Sequence, residues 1–295
     1  MRAVCVSVAA VRGSAPREAG AEMLVRAHDC EGSIGGGHLE WHAIATARRL
    51  LAQWARCAPS QTPQHRETLS LGPALGQCCG GAVDLLYTAS DLLHLPPPAP
   101  LFFLQLHGAG HVGRALVRVL ATLPCQVQWI DERDDAFPAA PDPDGPARIE
   151  RLAVDAPQAE VATAPPGAYY LLLTHSHDLD FAIGQAVLER GDFGWLGCIG
   201  SATKRARFVR RWQQRGIDAA RLSRFVCPVG LPGIVGKAPE IIAVSVAAQL
   251  LQVTTAQNAL ALSPVCRHDQ PALGSNFERR MHPAQNAPHH GKSLL

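Results

Sequence analysis

The chain has 295 residues, of which 47% are hydrophobic and 18% charged, and its formal net charge is +2. That is apolar material for about two globular cores at the usual ~150 residues per domain, and the charge is too balanced for general nucleic-acid or polyanion binding. An anionic ligand would have to be held by local basic residues.

The run from Ala3 to Val11 alternates and is rich in valine, which reads as a buried strand rather than a signal segment, since no small-residue cleavage site follows before Arg12. Met23 to Val25 continues as a strand. The Gly35-Gly36-Gly37 turn then leads into a helical pattern from Leu39 to Trp54. Ala82 to Tyr87 reads as another strand. The stretch Leu95-Pro-Pro-Pro-Ala-Pro100 suits neither helix nor sheet and marks a stiff linker.

Beyond it, Leu101 to Leu106 is an apolar strand running into Gly108-Ala-Gly-His-Val-Gly113 and a helix to about Leu123. Strands follow at Gln126 to Ile130, Tyr169 to Leu173 and Gly194 to Ile199. Helices follow at Phe181 to Arg190 and Thr203 to Arg215. Pro239 suits the first turn of a last helix through Leu250 or beyond. From Cys266 the chain is polar, rich in Pro and His, and aperiodic, as a disordered tail would be.

The alternation predicts an α/β protein: an N-terminal mixed α+β domain (1–95), a Pro-rich linker (96–100), a Rossmann-like doubly wound parallel sheet (101–265) and a tail (266–295). No span approaches the ~20 apolar residues of a membrane helix. The nine cysteines include no C-x-x-C spacing and read as reduced cytosolic thiols. A cytoplasmic protein with neither membrane nor nucleic-acid partner is expected.

Six segments are candidates for chemistry. Gly108-x-Gly110-x-x-Gly113 sits between strand and helix, and Asp131 ends the next strand. There, backbone N–H groups and a helix N-terminus hold a phosphate, and the acid takes a ribose hydroxyl. His107 and His111 bracket the glycines, as ligand contacts or as plain surface residues. Thr174-His-Ser-His-Asp-Leu-Asp180 follows a strand, where His175 and His177 would face the crevice. With Asp178 and Asp180 they could ligate a transition metal. Ligand contact, with Asp178 capping the next helix, is the favoured alternative.

Ser201, Lys204 and Arg205 open a helix after a glycine turn, as an anion site or an ordinary capped helix. Lys204 is one of only three lysines against twenty-four arginines. Gly36, Gly37, His38 and Glu40 form a glycine turn into a helix start, where Glu40 serves structure or function. The loop Cys227 to Lys237 suits a ligand cover. Leu75-Gly-Gln-Cys-Cys-Gly-Gly81 frames Cys78 and Cys79 with glycines, Gly80 and Gly81 among them. Paired thiols so placed suit a soft metal or a sulfur-bearing cofactor, or else form half-buried thiols entering a strand.

These motifs, in this order, resemble the XdhC/CoxI family. The carriers are Gly13-Ser-Ala-Pro-Arg17, Gly32 to Glu40, Leu71 to Gly81, Gly108 to Gly113, Ile199 to Arg205 and Glu240 to Ser245, and the likeness covers roughly residues 3–262. It implies an accessory protein, not an enzyme. Such a protein binds the molybdenum cofactor in its molybdopterin form, supports its sulfuration by a cysteine desulfurase, and delivers it to xanthine dehydrogenase. A nucleotide at the Rossmann site and a homodimer are further expectations.

Many CoxI-like relatives carry Cys where this chain has His38, which shifts any thiol role toward Cys78 and Cys79. The rival readings are an NAD(P)-dependent oxidoreductase with His175 or His177 as acid/base, and a metal-dependent enzyme built on His175, His177 and Asp178. Catalytic residues and a permanent metal are not expected.

Overall fold

The computed structural model describes residues 2–55, 62–72, 80–140 and 144–262. Two sheets divide the chain on either side of the prolines.

The first sheet is antiparallel, ordered β3-β2-β1-β5-β4, from β1 (Ala3–Arg12), β2 (Glu22–Val25), β3 (Cys30–Gly32), β4 (Gln64–Ser70) and β5 (Ala82–Ser90). Alternation decides which face is buried. Val4, Val6 and Val8 of β1 and Val83, Leu85 and Tyr87 of β5 point into one core. The helix α1 (Gly37–Trp54) closes that core with Leu39, Ala43, Ala47, Leu50 and Trp54, which recur at helical spacing. A register shift between Val8 and Ala10 marks a bulge in β1.

The second sheet is wholly parallel, ordered β11-β10-β9-β6-β7-β8. Its strands are β6 (Phe103–His107), β7 (Gln126–Asp131), β8 (Arg148–Ala153), β9 (Tyr169–Leu172), β10 (Trp195–Cys198) and β11 (Phe225–Val226). The chain runs outward from β6 through β7 to β8, then returns to the other side of β6 and runs outward again through β9 to β11. That is the dinucleotide-binding order, with its switch point between β6 and β9.

Helices cover both faces. α2 (His111–Leu120) and α6 (Pro239–Leu262) pack on one side, where Leu104, Leu106, Leu116, Trp129, Val246 and Leu250 share a core. α3 (His177–Arg190), α4 (Ala202–Gln214) and the short α5 (Ala219–Ser223) take the other, around Tyr170, Phe181, Phe208 and Trp212. By length and composition α6 could cross a membrane. Ala243, Val246, Ala247 and Leu250 are nonetheless buried against the parallel sheet.

The linker is tied at both ends. Glu31 of β3 accepts hydrogen bonds from the Leu95 N–H at 3.1 Å and contacts His94 Nδ1 at 3.0 Å. On the far side, Leu101 N–H donates to Pro124 O at 2.7 Å. The expected tail at 266–295 lies outside the described residues.

Candidate cofactor site

Parallel strands deliver their carboxyl ends to one rim, and ligands gather where the strand order reverses. At that point the three glycines have different tasks. Gly108 has φ +125°, and a Cβ there would stand 2.4 Å from Leu173 O, so this residue lets the β6 and β9 loops touch. A Cβ on Gly113 would stand 2.2 Å from Gly108 O. Gly110 differs: its φ is −71° and, among the described residues, nothing lies within 4 Å of the position its Cβ would take. It precedes α2, which has no side-chain cap. The first N–H groups of a helix lack intrahelical acceptors and carry the positive end of its dipole, so they are available to an anion.

The loop is braced from behind. Asp131, at the end of β7, accepts the Ala109 N–H at 2.7 Å and the Arg133 N–H at 3.0 Å. The Arg133 guanidinium grips the same carboxylate at 2.9 and 3.1 Å. Burial works to raise the Asp131 pKa, but the Arg133 guanidinium and the backbone donors hold it below the usual carboxylate range. Trp129 Nε1 donates to Gly108 O at 3.0 Å. Arg114 Nε donates to Ala109 O and Ala136 O, each at 3.0 Å.

In front lies a cavity of about 420 Å³, lined among others by Gly110, His111, Arg114, Arg133, Thr174 and His175. His175 Nε2 lies 3.3 Å from Glu132 Oε1. The crevice therefore unites the glycine loop with His175. It does not include His177, whose Nδ1 pairs with Arg207 at 3.1 Å beside α4. Ser176, not Asp178, caps α3, accepting the Leu179 N–H at 3.3 Å. Among the described residues, no three His, Cys, Asp or Glu side chains converge as metal ligands.

His107 is neither a surface residue nor a visible contact. It is fully buried, and among the described residues neither ring nitrogen has a hydrogen-bond partner. Burial pushes its pKa down to about 3.

Lys204 occupies a second cluster, at the end of β10. Its Nζ lies 2.6 Å from Asp180 Oδ2 and donates to Ile199 O at 2.9 Å. Side-chain exposure is 8% for Lys204 and 0% for Asp180, so this is a buried ion pair. Thr174 completes Asp180, donating from N–H at 3.1 Å and from its hydroxyl at 2.8 Å. Ser201 caps α4 by accepting the Lys204 N–H at 3.2 Å.

In the first domain, Glu40 is turned back onto its own turn. It accepts the Ser33 hydroxyl and the N–H groups of Ile34 and Gly36, each of the latter at 3.1 Å. Burial opposes ionisation, yet these donors hold its carboxyl below the usual range. Gly36 and Gly37 have φ of +73° and +62°, which the turn into α1 requires. His38 is exposed and packs obliquely on Trp41 at 5.5 Å. A Cβ on Gly81 would stand 2.3 Å from Ser14 O, while Gly80 is open. Cys78 and Cys79 lie outside the described residues.

Residues 104–250 match the XdhC Rossmann domain, and residues 1–57 match the XdhC and CoxI family. The chain belongs to the XdhC/CoxI family. It is similar to the uncharacterized protein YqeB of Escherichia coli (strain K12), 29% identical over 261 residues. That alignment covers 86% of this chain but 44% of YqeB, so the chain spans less than half of that relative. Among solved structures, a protein described as a xanthine dehydrogenase from Bacillus halodurans superimposes with a TM-score of 0.65 at 20% identity. It covers 87% of this chain and 93% of its own, a likeness of fold.

Arg133 and Arg114 were not among the sequence candidates. The signal for Arg133 was its place two residues after the fingerprint acid, in Asp131-Glu-Arg-Asp-Asp135. Nothing local marks Arg114, which serves through carbonyls brought together only by the fold.

Proposed function

We propose that this XdhC/CoxI-family chain binds the molybdenum cofactor and delivers it to xanthine dehydrogenase, and that a cysteine desulfurase sulfurates the cofactor while it is held. The observation carrying this reading is the uncapped N-terminus of α2 behind Gly110, opening on a cavity with Arg114 and Arg133 on its wall. A pterin ligand bearing phosphate fits that donor set at its anionic end: helical N–H groups and a guanidinium hold the phosphate, and His175 and Thr174 offer polar contacts. When bound, the cofactor supplies molybdenum redox chemistry to the acceptor enzyme. The residues of this chain bind, orient and shield it. The protein is an accessory factor of the cytoplasm and not a catalyst.

A nucleotide at the same loop is the second reading, favoured by the 3-2-1-4-5-6 strand order. Asp131 bears on it, because its oxygens are already engaged by Ala109 and Arg133. The experiment is equilibrium titration of protein prepared without oxygen, by fluorescence quenching, with molybdenum cofactor and separately with NAD(H) and NADP(H). Tight cofactor binding with weak nucleotide binding supports the carrier reading. The reverse order, with hydride transfer, supports the oxidoreductase.

A further inference from the structure

The strands β10 and β11 are parallel neighbours with Leu196 opposite Phe225 and Gly197 opposite Val226. Continuing that register sets Cys198 opposite Cys227. Both belong to the core cluster beneath α4, so their side chains share one face. Paired strands lie ~4.8 Å apart, within the ~4.4–6.8 Å Cα separation that a disulfide spans. Both cysteines are free thiols.

We propose that Cys198 and Cys227 form a reversible dithiol–disulfide site, entered through Cys227 and oxidised by a small disulfide of the glutathione type. The two sulfurs have unequal surroundings. Cys198 is fully buried, 3.9 Å from Asp180 Oδ2 and 3.3 Å from Ile199 O, so negative charge there is disfavoured. Cys227 is 6% exposed and sits 3.8 Å from Ser201 O. The residue over it is an exposed glycine: a Cβ on Gly200 would stand 3.1 Å from Cys227 Sγ and 2.6 Å from Lys204 Cδ. The neighbouring Cys198 thiol, aided by the Lys204 and Arg205 charges and opposed by burial, lowers the Cys227 pKa. Low pKa, cationic neighbours and an adjacent second thiol are the attributes of an attacking cysteine with its resolving partner.

The chemistry balances without a metal. The Cys227 thiolate attacks one sulfur of oxidised glutathione, forming a mixed disulfide and releasing one glutathione thiolate, which takes a proton from solvent. The Cys198 thiol then attacks the Cys227 sulfur and expels the second glutathione, to which its own proton passes. Two cysteines are oxidised by two electrons, and one disulfide is reduced to two thiols. The product staples the two-residue edge strand β11, and the loop that Cys227 begins, to the end of β10.

The test uses the full chain, reduced and then equilibrated with glutathione buffers of rising oxidised fraction. Free thiols are trapped by alkylation and the peptides mapped by mass spectrometry. The expected product links Cys198 to Cys227, raises the melting temperature by several degrees, and reverts with dithiothreitol. Cys198→Ala should stop at the glutathione adduct on Cys227, and Cys227→Ala should leave Cys198 unmodified. Melting curves of the reduced variants check their folding, and the wild-type map decides alone if either fails to fold. Alkylation of both Cys198 and Cys227 in buffers that oxidise the exposed Cys30 overturns the proposal, as does linkage of Cys227 to any other cysteine. No cofactor enters the test, so it is independent of the carrier reading.

Discussion

The Asp131 carboxylate, expected from its position to take a ribose hydroxyl, accepts the N–H of Ala109 in the glycine loop at 2.7 Å. The acid of the dinucleotide fingerprint thus acts as a strut between β7 and the loop, with Arg133 closing its other oxygen. Removing it leaves the buried Ala109 N–H unsatisfied and Arg133 unpaired. Asp131→Ala should therefore lower stability by about 2–3 kcal/mol, read by urea denaturation. Because the Asp131 pKa is depressed in the fold, its contribution is present above the unfolded value near ~4 and is lost as pH falls below it. A variant as stable as wild type at neutral pH would show that the strut is idle.

His107 gives the acid limb of the stability profile a second component. Its pKa is pushed down to about 3 by burial, so the folded protein holds it neutral while the unfolded chain protonates near ~6.5. Stability from this group is complete above ~6.5 and falls by roughly 1.4 kcal/mol per pH unit as pH drops toward 3. His107→Leu removes two unsatisfied nitrogens at similar volume. Its denaturation midpoint should vary less between pH 6.5 and 4 than that of wild type. Parallel pH profiles would contradict the assignment.

The three loop glycines should separate binding from folding. A Cβ at Gly110 meets no atom of the described residues within 4 Å and the backbone is not left-handed, so the denaturation midpoint of Gly110→Val should stay near wild type while cofactor affinity falls at least tenfold. Gly113→Val collides with the Gly108 carbonyl and should destabilise by several kcal/mol whether or not ligand is present. Titration and denaturation of both variants check the pair. Unimpaired binding by folded Gly110→Val would show that the ligand does not approach this loop.

Lys204→Ala should act through the fold. It strands a fully buried carboxylate at Asp180, and breaking such a pair typically costs ~3–5 kcal/mol. The double variant Lys204→Met, Asp180→Leu should recover part of that loss, measured by denaturation. Any loss of cofactor affinity in Lys204→Ala has to be compared with the double variant before a direct contact is assigned. A stability loss under 1 kcal/mol would mean the pair is more hydrated than its burial implies.

Most of the architecture was legible because interior elements carry a burial pattern. The continuous apolar runs of β6, β9 and β10 and the helical spacing in α1 announced themselves. The four strands that escaped notice, β3, β4, β8 and β11, are the four sheet edges. Gln64–Ser70 and Arg148–Ala153 have no fully buried residue, and an edge strand needs none. In the candidate site, the backbone shape of the loop was legible in the spacing of its glycines. The roles of Asp131, Glu40 and Lys204 were not. Asp131 and Lys204 looked available for a ligand and are engaged by partners the fold brings to them, Ala109 at Asp131 and Asp180 at Lys204, while Glu40, open to either role, is closed onto its own turn.

The central claim is that the chain carries a cofactor to an acceptor, and reconstitution tests it most directly. Protein loaded with molybdenum cofactor, without oxygen and free of unbound cofactor, is mixed at varied ratios with cofactor-free xanthine dehydrogenase. Recovered activity is then followed to its endpoint. The carrier account predicts an endpoint that rises linearly with loaded protein and saturates at one cofactor per acceptor active site. Folded Gly110→Val should fail to load and so give no recovery. Full recovery from substoichiometric loaded protein, or none at any ratio while the protein keeps its cofactor, would contradict it.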